Sequence, residues 1–129
     1  MAWTALATWA ALVLYAVVGA NVSRARVKYG VEAPAVQGQP AFERVFRVHQ
    51  NTLEQLVLFV PALWLFGWFV SDHWAAALGV VWIVGRALYA RSYYADAAKR
   101  GPGFGLAGLA TVTLLIGAVI GIVLALIRG

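Results

Sequence analysis

Four long apolar stretches dominate this chain of 129 residues and leave it few ways to fold. They run from about Trp3 to Val22, Leu53 to Val70, Trp74 to Tyr89 and Phe104 to Ile127. A helix needs roughly 20 residues to cross a hydrocarbon core about 30 Å thick. The first and last stretches reach that length alone. The middle two reach it with polar extensions, one beginning near Ala41 and the other running to about Arg100. No alternation of period two is present, and four strands cannot close a barrel, so the spans are helices. The expected fold is an all-α integral membrane bundle of four transmembrane helices. It forms one domain, 1–129, with helices over 3–27, 41–70, 74–100 and 103–127. Composition agrees: 63% of residues are hydrophobic and 12% charged, against about 45–50% and 25% in soluble domains.

The connections differ in kind. The segment 21–40 carries Gly30, Pro34, Gly38 and Pro40 and reads as a loop, with Pro40 suited to the first turn of the next helix. Ser71-Asp72-His73 is a tight link in which Asp72 is expected to cap the third helix. Gly101-Pro102-Gly103 should break the chain before the fourth. Pro61 should kink the second helix near Val57. The first stretch has no basic leader and no cleavage site, and reads as a retained span.

The net charge of +5 is distributed unevenly. Arg24, Arg26, Lys28, Arg44, Arg47, Arg86, Arg91, Lys99 and Arg100 fall on one side of the membrane, leaving Arg128 on the other. The positive-inside rule makes the basic side cytoplasmic and puts both termini outside. A multi-pass protein of a bacterial inner membrane is the expected setting. Membrane lipid accounts for the positive charge without a nucleic-acid partner. The chain has no cysteine, which removes disulfides, thiolate metal ligands and a cysteine nucleophile. His49 and His73 stand apart without ligand spacing, so no metal site is expected.

Polar residues cluster where a membrane helix tolerates them least. In the second helix Arg44, Arg47, Asn51 and Glu54 recur at spacings that share one face, and in the third Arg86, Tyr89, Tyr93 and Arg100 do the same. A charge at the bilayer centre costs at least about 2.5–3.5 kcal/mol. One reading is a salt bridge between Glu54 and an arginine that glues the helices. That leaves several arginines unneutralised. A surplus of guanidinium forks facing a crevice suits a ligand bearing carboxylates. Glu54 could take its ammonium group, and Asn51 and the tyrosines could supply further hydrogen bonds. Glutathione has those groups.

The segment Phe42-Glu43-Arg44-Val45-Phe46-Arg47, followed by Asn51 and Glu54, resembles the signature of the MAPEG family, the membrane-associated proteins in eicosanoid and glutathione metabolism. Arg86, Tyr89, Tyr93 and Arg100 match a second motif of its leukotriene C synthase and microsomal glutathione transferase branch. The resemblance spans essentially the whole chain. It implies a homotrimer with glutathione held between subunits by Arg47, Asn51, Glu54, Tyr89 and Tyr93, and by Arg26 and His49 of the neighbouring subunit. It implies Arg100 as the residue that holds the thiolate, with Tyr93 as a second catalytic candidate. Two positions depart from the synthase: His49 replaces a glutamine, and Gln55 replaces a tyrosine that contacts glutathione.

The implied activity is transfer of the glutathione thiolate to a hydrophobic electrophile, with peroxidase activity open to the same site. Two other readings stay in view. One is a non-catalytic, lipid-binding accessory member of the same family, which would be expected to lose the glutathione contacts present here. The other is a small four-helix transporter, which needs an acid in its first span. Trp3 to Val22 contains none.

Overall fold

The computed structural model describes residues 1–129 as four helices: α1 (Ala2–Tyr29), α2 (Pro40–Phe69), α3 (Asp72–Ala95) and α4 (Gly101–Arg128). There are no strands, and all four helices are long and apolar enough to cross a membrane. Buried residues number only 30. Large apolar side chains stand on the outside instead, among them Trp68 at 72% exposure and Leu126 at 75%. Such a surface is stable in lipid and not in water.

Contacts between helix ends fix the topology. Trp64 Nε1 near the end of α2 donates to Thr8 Oγ1 near the start of α1, so these helices are antiparallel. Gly103 at the start of α4 lies against Tyr89 near the end of α3, so these are antiparallel too. The bundle runs up, down, up, down, with α1 and α4 each packed on α2 and α3. One end therefore gathers the end of α1, the start of α2, the end of α3 and the start of α4. Nine of the ten basic residues belong to those segments or to the link between α3 and α4.

The core is tight because its contact faces are small. A Cβ on Gly85 would sit 2.6 Å from the backbone nitrogen of Ala107. Close backbone approach of this kind lets membrane helices associate through van der Waals contact. Phe59 and Trp82 stack at 4.1 Å with planes 5° apart, and Leu63 and Leu114 are fully buried beside them. Gly30, at φ 67°, ends α1, and the Val31 N–H closes on the Arg26 carbonyl at 3.0 Å. Pro40 takes the first turn of α2, and α2 continues through Pro61.

Three local expectations are corrected. Gly101-Pro102-Gly103 does not break the chain but forms the first residues of α4, and the break lies before it, after Ala95. The third helix does not reach 100. Asp96 leaves it in extended conformation and turns its carboxylate onto the Ala98 N–H at 3.0 Å, starting a single 3-10 turn, Ala97–Lys99. Nor does Asp72 cap its own helix. Ser71 does that, accepting from the Trp74 N–H at 3.2 Å. Asp72 reaches across to α1, accepting from Thr4 N–H at 2.8 Å, Thr4 Oγ1 at 2.7 Å and Trp3 N–H at 3.2 Å. It satisfies donors that α1 cannot satisfy itself. Asp72→Ala should therefore lower the melting temperature in detergent, and Asp72→Asn should lower it less. Equal melting temperatures for all three proteins would remove this role.

Candidate functional site

At the basic end, α2, α3 and the start of α4 enclose a cleft of about 560 Å³ lined by polar groups. Arg47 and Asn51 enter from α2, one turn apart. Tyr89 and Tyr93 enter from α3, also one turn apart. Arg100 and Phe104 close the cleft from the start of α4. Arg100 arrives by a route its spacing does not announce. It lies beyond the end of α3, and the turn over Ala97–Lys99 brings it back over the tyrosines. Its Nη1 donates to the Ala97 carbonyl at 2.7 Å, which ties the guanidinium to that turn.

The cleft is graded from wet to dry. Arg47 is half exposed and donates to Gln50 Oε1 at 2.8 Å and Glu54 Oε1 at 3.3 Å. An exposed pair of this kind contributes little to stability, at most about 1 kcal/mol. The expected Glu54 salt bridge is thus present, but on the surface. Glu54 stands outside the cleft lining, held to its rim through Arg47. Deeper in, Tyr89 is buried, with the rings of Tyr93 and Phe104 at 5.4 Å and 6.1 Å. Asn51 Oδ1 is buried without a hydrogen-bond partner. A buried acceptor left unpaired costs about 1–3 kcal/mol, so a ligand N–H placed there would be bound preferentially.

Arg86 is not where its spacing suggests. It belongs to the interior and not to the cleft. The residue is 1% exposed, and its guanidinium lies 4.1 Å from the centre of the Tyr89 ring and donates to Thr52 Oγ1 at 2.8 Å. No carboxylate pairs with it. The stacked cation backs the ring that forms the cleft floor. Thr52 and Phe104 are the residues that sequence reasoning misses. Thr52 is recognisable afterwards as the one hydroxyl beside the polar face of α2, and Phe104, in the first turn of α4, carries no signal of its own.

Arg26 and His49 are engaged elsewhere within the chain. Arg26 donates to the carbonyls of Val31 at 3.4 Å and Ala35 at 2.7 Å, with its guanidinium 5.2 Å from the centre of the Phe42 ring, and so secures the loop after α1. His49 stacks on Tyr15 at 4.8 Å and lies against Gly19 of α1. Gln55 lines no part of the cleft. Of the eight residues singled out in the sequence, Arg47, Asn51, Tyr89, Tyr93 and Arg100 converge, Glu54 is attached through Arg47, and Arg26 and His49 stand apart.

This arrangement offers two guanidinium groups, an unpaired amide oxygen and two phenols at one end of the helix bundle. The chain is similar to known proteins over most of its length. An uncharacterised protein of Synechocystis sp. is 52% identical over 120 residues, 93% of this chain and 88% of that protein. Microsomal glutathione S-transferase 2 of Homo sapiens is 46% identical over 99 residues, 76% of this chain and 67% of that protein. Leukotriene C4 synthase of Mus musculus is 34% identical over 100 residues, 78% and 67% respectively. Residues 4–120 match the MAPEG family. The chain is an integral membrane protein that belongs to the MAPEG family.

Proposed function

We propose that this protein is a membrane-bound glutathione transferase that joins the glutathione sulfur to a hydrophobic electrophile. The observation that carries the reading is the convergence of Arg47, Asn51, Tyr93 and Arg100 from three helices into one cleft. Likeness to microsomal glutathione S-transferase 2 and leukotriene C4 synthase supports it. The polar groups fit glutathione: guanidinium groups donate to its carboxylates, and the unpaired Asn51 Oδ1 accepts from an amide or ammonium N–H. Glu54, at the rim, is available to the ammonium group.

Arg100 is assigned to the sulfur. A free thiol titrates near 8.5, so only a few per cent is ionised at pH 7. A guanidinium beside the sulfur favours the anion, and a shift of two units requires about 2.7 kcal/mol of differential interaction. The thiol proton leaves to solvent through the open end of the cleft. Sulfur then forms its bond to the electrophilic carbon, and with chlorodinitrobenzene chloride departs. Tyr93, which lines the cleft with Arg100, is assigned a hydrogen bond donated to sulfur. A bound thiolate can also reduce a hydroperoxide, so peroxidase activity belongs to the same reading.

Three finer features complete the proposal. The assembly is a homotrimer in which Arg26 and His49 of a neighbouring subunit complete the glutathione site. The basic end faces the cytoplasm. The location in this reading is a bacterial inner membrane, crossed by the four apolar helices. The accessory reading is disfavoured by retention of Arg47, Asn51, Glu54, Tyr93 and Arg100 together.

Glutathione binding tests the reading directly. Asn51→Ala should weaken binding about tenfold, the consequence of losing one hydrogen bond in a dry site. Gln55→Ala, outside the cleft, should leave it within about twofold. Calorimetry on the detergent-solubilised protein checks both. Equal affinity for wild type and Asn51→Ala would remove Asn51 from the site.

A further inference from the structure

The seam where α1 packs beside α3 holds two apolar hollows outside the polar cleft. One, of about 500 Å³, opens toward Trp3 and His73. The other, of about 590 Å³, lies at the basic end over Val17, Val18, Ala87 and Ala90. Both walls are mostly carbon, but their polar ends differ. The first ends at His73, and no lysine or arginine lines it. The carboxylate of the adjacent Asp72 is already taken by α1. The second ends at Asn21, Arg91 and Tyr94.

That second corner is positive and has free donors. Arg91 is exposed and forms no ion pair, the two in the structure being Met1–Asp72 and Arg47–Glu54. Arg24 donates to Asn21 Oδ1 at 3.3 Å, which brings a second guanidinium to the same place. Asn21 Nδ2 donates to the Tyr94 hydroxyl at 3.1 Å. The phenol oxygen is thus occupied as an acceptor while its own O–H is free to donate. Asp96, the nearby acid, is turned to the Ala98 N–H. Along α1 the hollow runs from Asn21 to Leu14, about 10 Å and most of the depth of one leaflet.

The geometry points to a bound anionic phospholipid, with one acyl chain in the hollow at the basic end and its phosphate at Arg91, Arg24 and the Tyr94 hydroxyl. Charge selects the headgroup, since a basic residue at the membrane surface favours anionic lipid by roughly fivefold each. The hollow at the opposite end, without a base, has no such preference. None of these residues lines the cleft proposed for glutathione, so the lipid site stands independently of that activity.

The test uses the full chain in nanodiscs of phosphatidylglycerol and phosphatidylcholine with identical acyl chains, followed by native mass spectrometry of retained lipid. Phosphatidylglycerol should be retained in preference. Arg91→Ala should reduce that preference about fivefold, and Arg24→Ala combined with Arg91→Ala should abolish it. Tyr94→Phe, which also removes the hydrogen bond from Asn21, should weaken retention of phosphatidylglycerol. Ala87→Phe, at an exposed position on the wall, should displace both lipids from the hollow. His73→Ala should change nothing. Equal retention of the two lipids by wild type, or an undiminished preference in Arg91→Ala, overturns the proposal. So does a change of oligomeric mass in Ala87→Phe, which would show that another copy of the chain covers the seam.

Discussion

Arg100→Ala is expected to slow conjugation of chlorodinitrobenzene at pH 7 by between about tenfold and a hundredfold. Glutathione affinity should change less than about threefold. If Arg100 lowers the thiol by two units, the ionised fraction at pH 7 falls on its removal from about three quarters to about 3%, roughly 25-fold. A more basic thiolate is a better nucleophile, which offsets part of that loss. Loss of the contact that orients sulfur adds to it. The ionisation component should disappear near pH 9.5, where a free thiol is already mostly ionised. The variant should therefore regain much of its activity at high pH, whereas wild type should already be near its plateau at pH 7. Arg47, tied to Gln50 and Glu54 on the rim, should behave differently: Arg47→Ala should raise KM with little change in kcat. Turnover of Arg100→Ala equal to wild type at pH 7 would exclude its assignment.

The second large effect comes from packing. A Cβ on Gly103 would overlap the Tyr89 backbone nitrogen and lie 2.7 Å from the Gly85 carbonyl oxygen. These are backbone atoms of α3, so no rotamer change relieves the overlap, and α4 must move away. Gly103→Val should destabilise the protein by about 3 kcal/mol or more. Any folded fraction should bind glutathione poorly, because Arg100 and Phe104 are carried on the same end of α4 as Gly103. A Cβ on Gly105, two residues on, would meet no atom within 4 Å. Gly105→Ala should be neutral or stabilising by up to about 1 kcal/mol, from helix propensity alone. Equal stability of the two variants would mean that α3 and α4 are not in backbone contact there.

The helices were legible in the sequence because lipid imposes one requirement on every span, length and apolarity, and four stretches meet it. The polar face of α2 was legible because Arg47 and Asn51 lie on an unbroken helix, where spacing translates into direction. Arg100 is the instructive case. Its spacing from Tyr93 suggested a shared helical face, yet the helix ends at Ala95 and the residue reaches the cleft through a turn set by Asp96. Periodicity identified the right neighbour by way of the wrong element. Arg86 shows the opposite failure. It does share the face of Tyr89, but the depth of a side chain depends on the facing helix, and Thr52 with the Tyr89 ring draws this one inward. Asp72 likewise acts on a helix 68 positions away in sequence. No local pattern encodes such a partner.

The ionisation of bound glutathione is the most direct measurement of what this cleft does. Thiolate absorbance in the ultraviolet, followed against pH with saturating protein in detergent, reports the titration of the bound sulfur. A midpoint near 6.5, about two units below a free thiol, is the result expected from Arg100 beside the sulfur. In Arg100→Ala it should return toward 8.5. A wild-type midpoint near 8.5, or no saturable binding of glutathione at all, would contradict the proposed function.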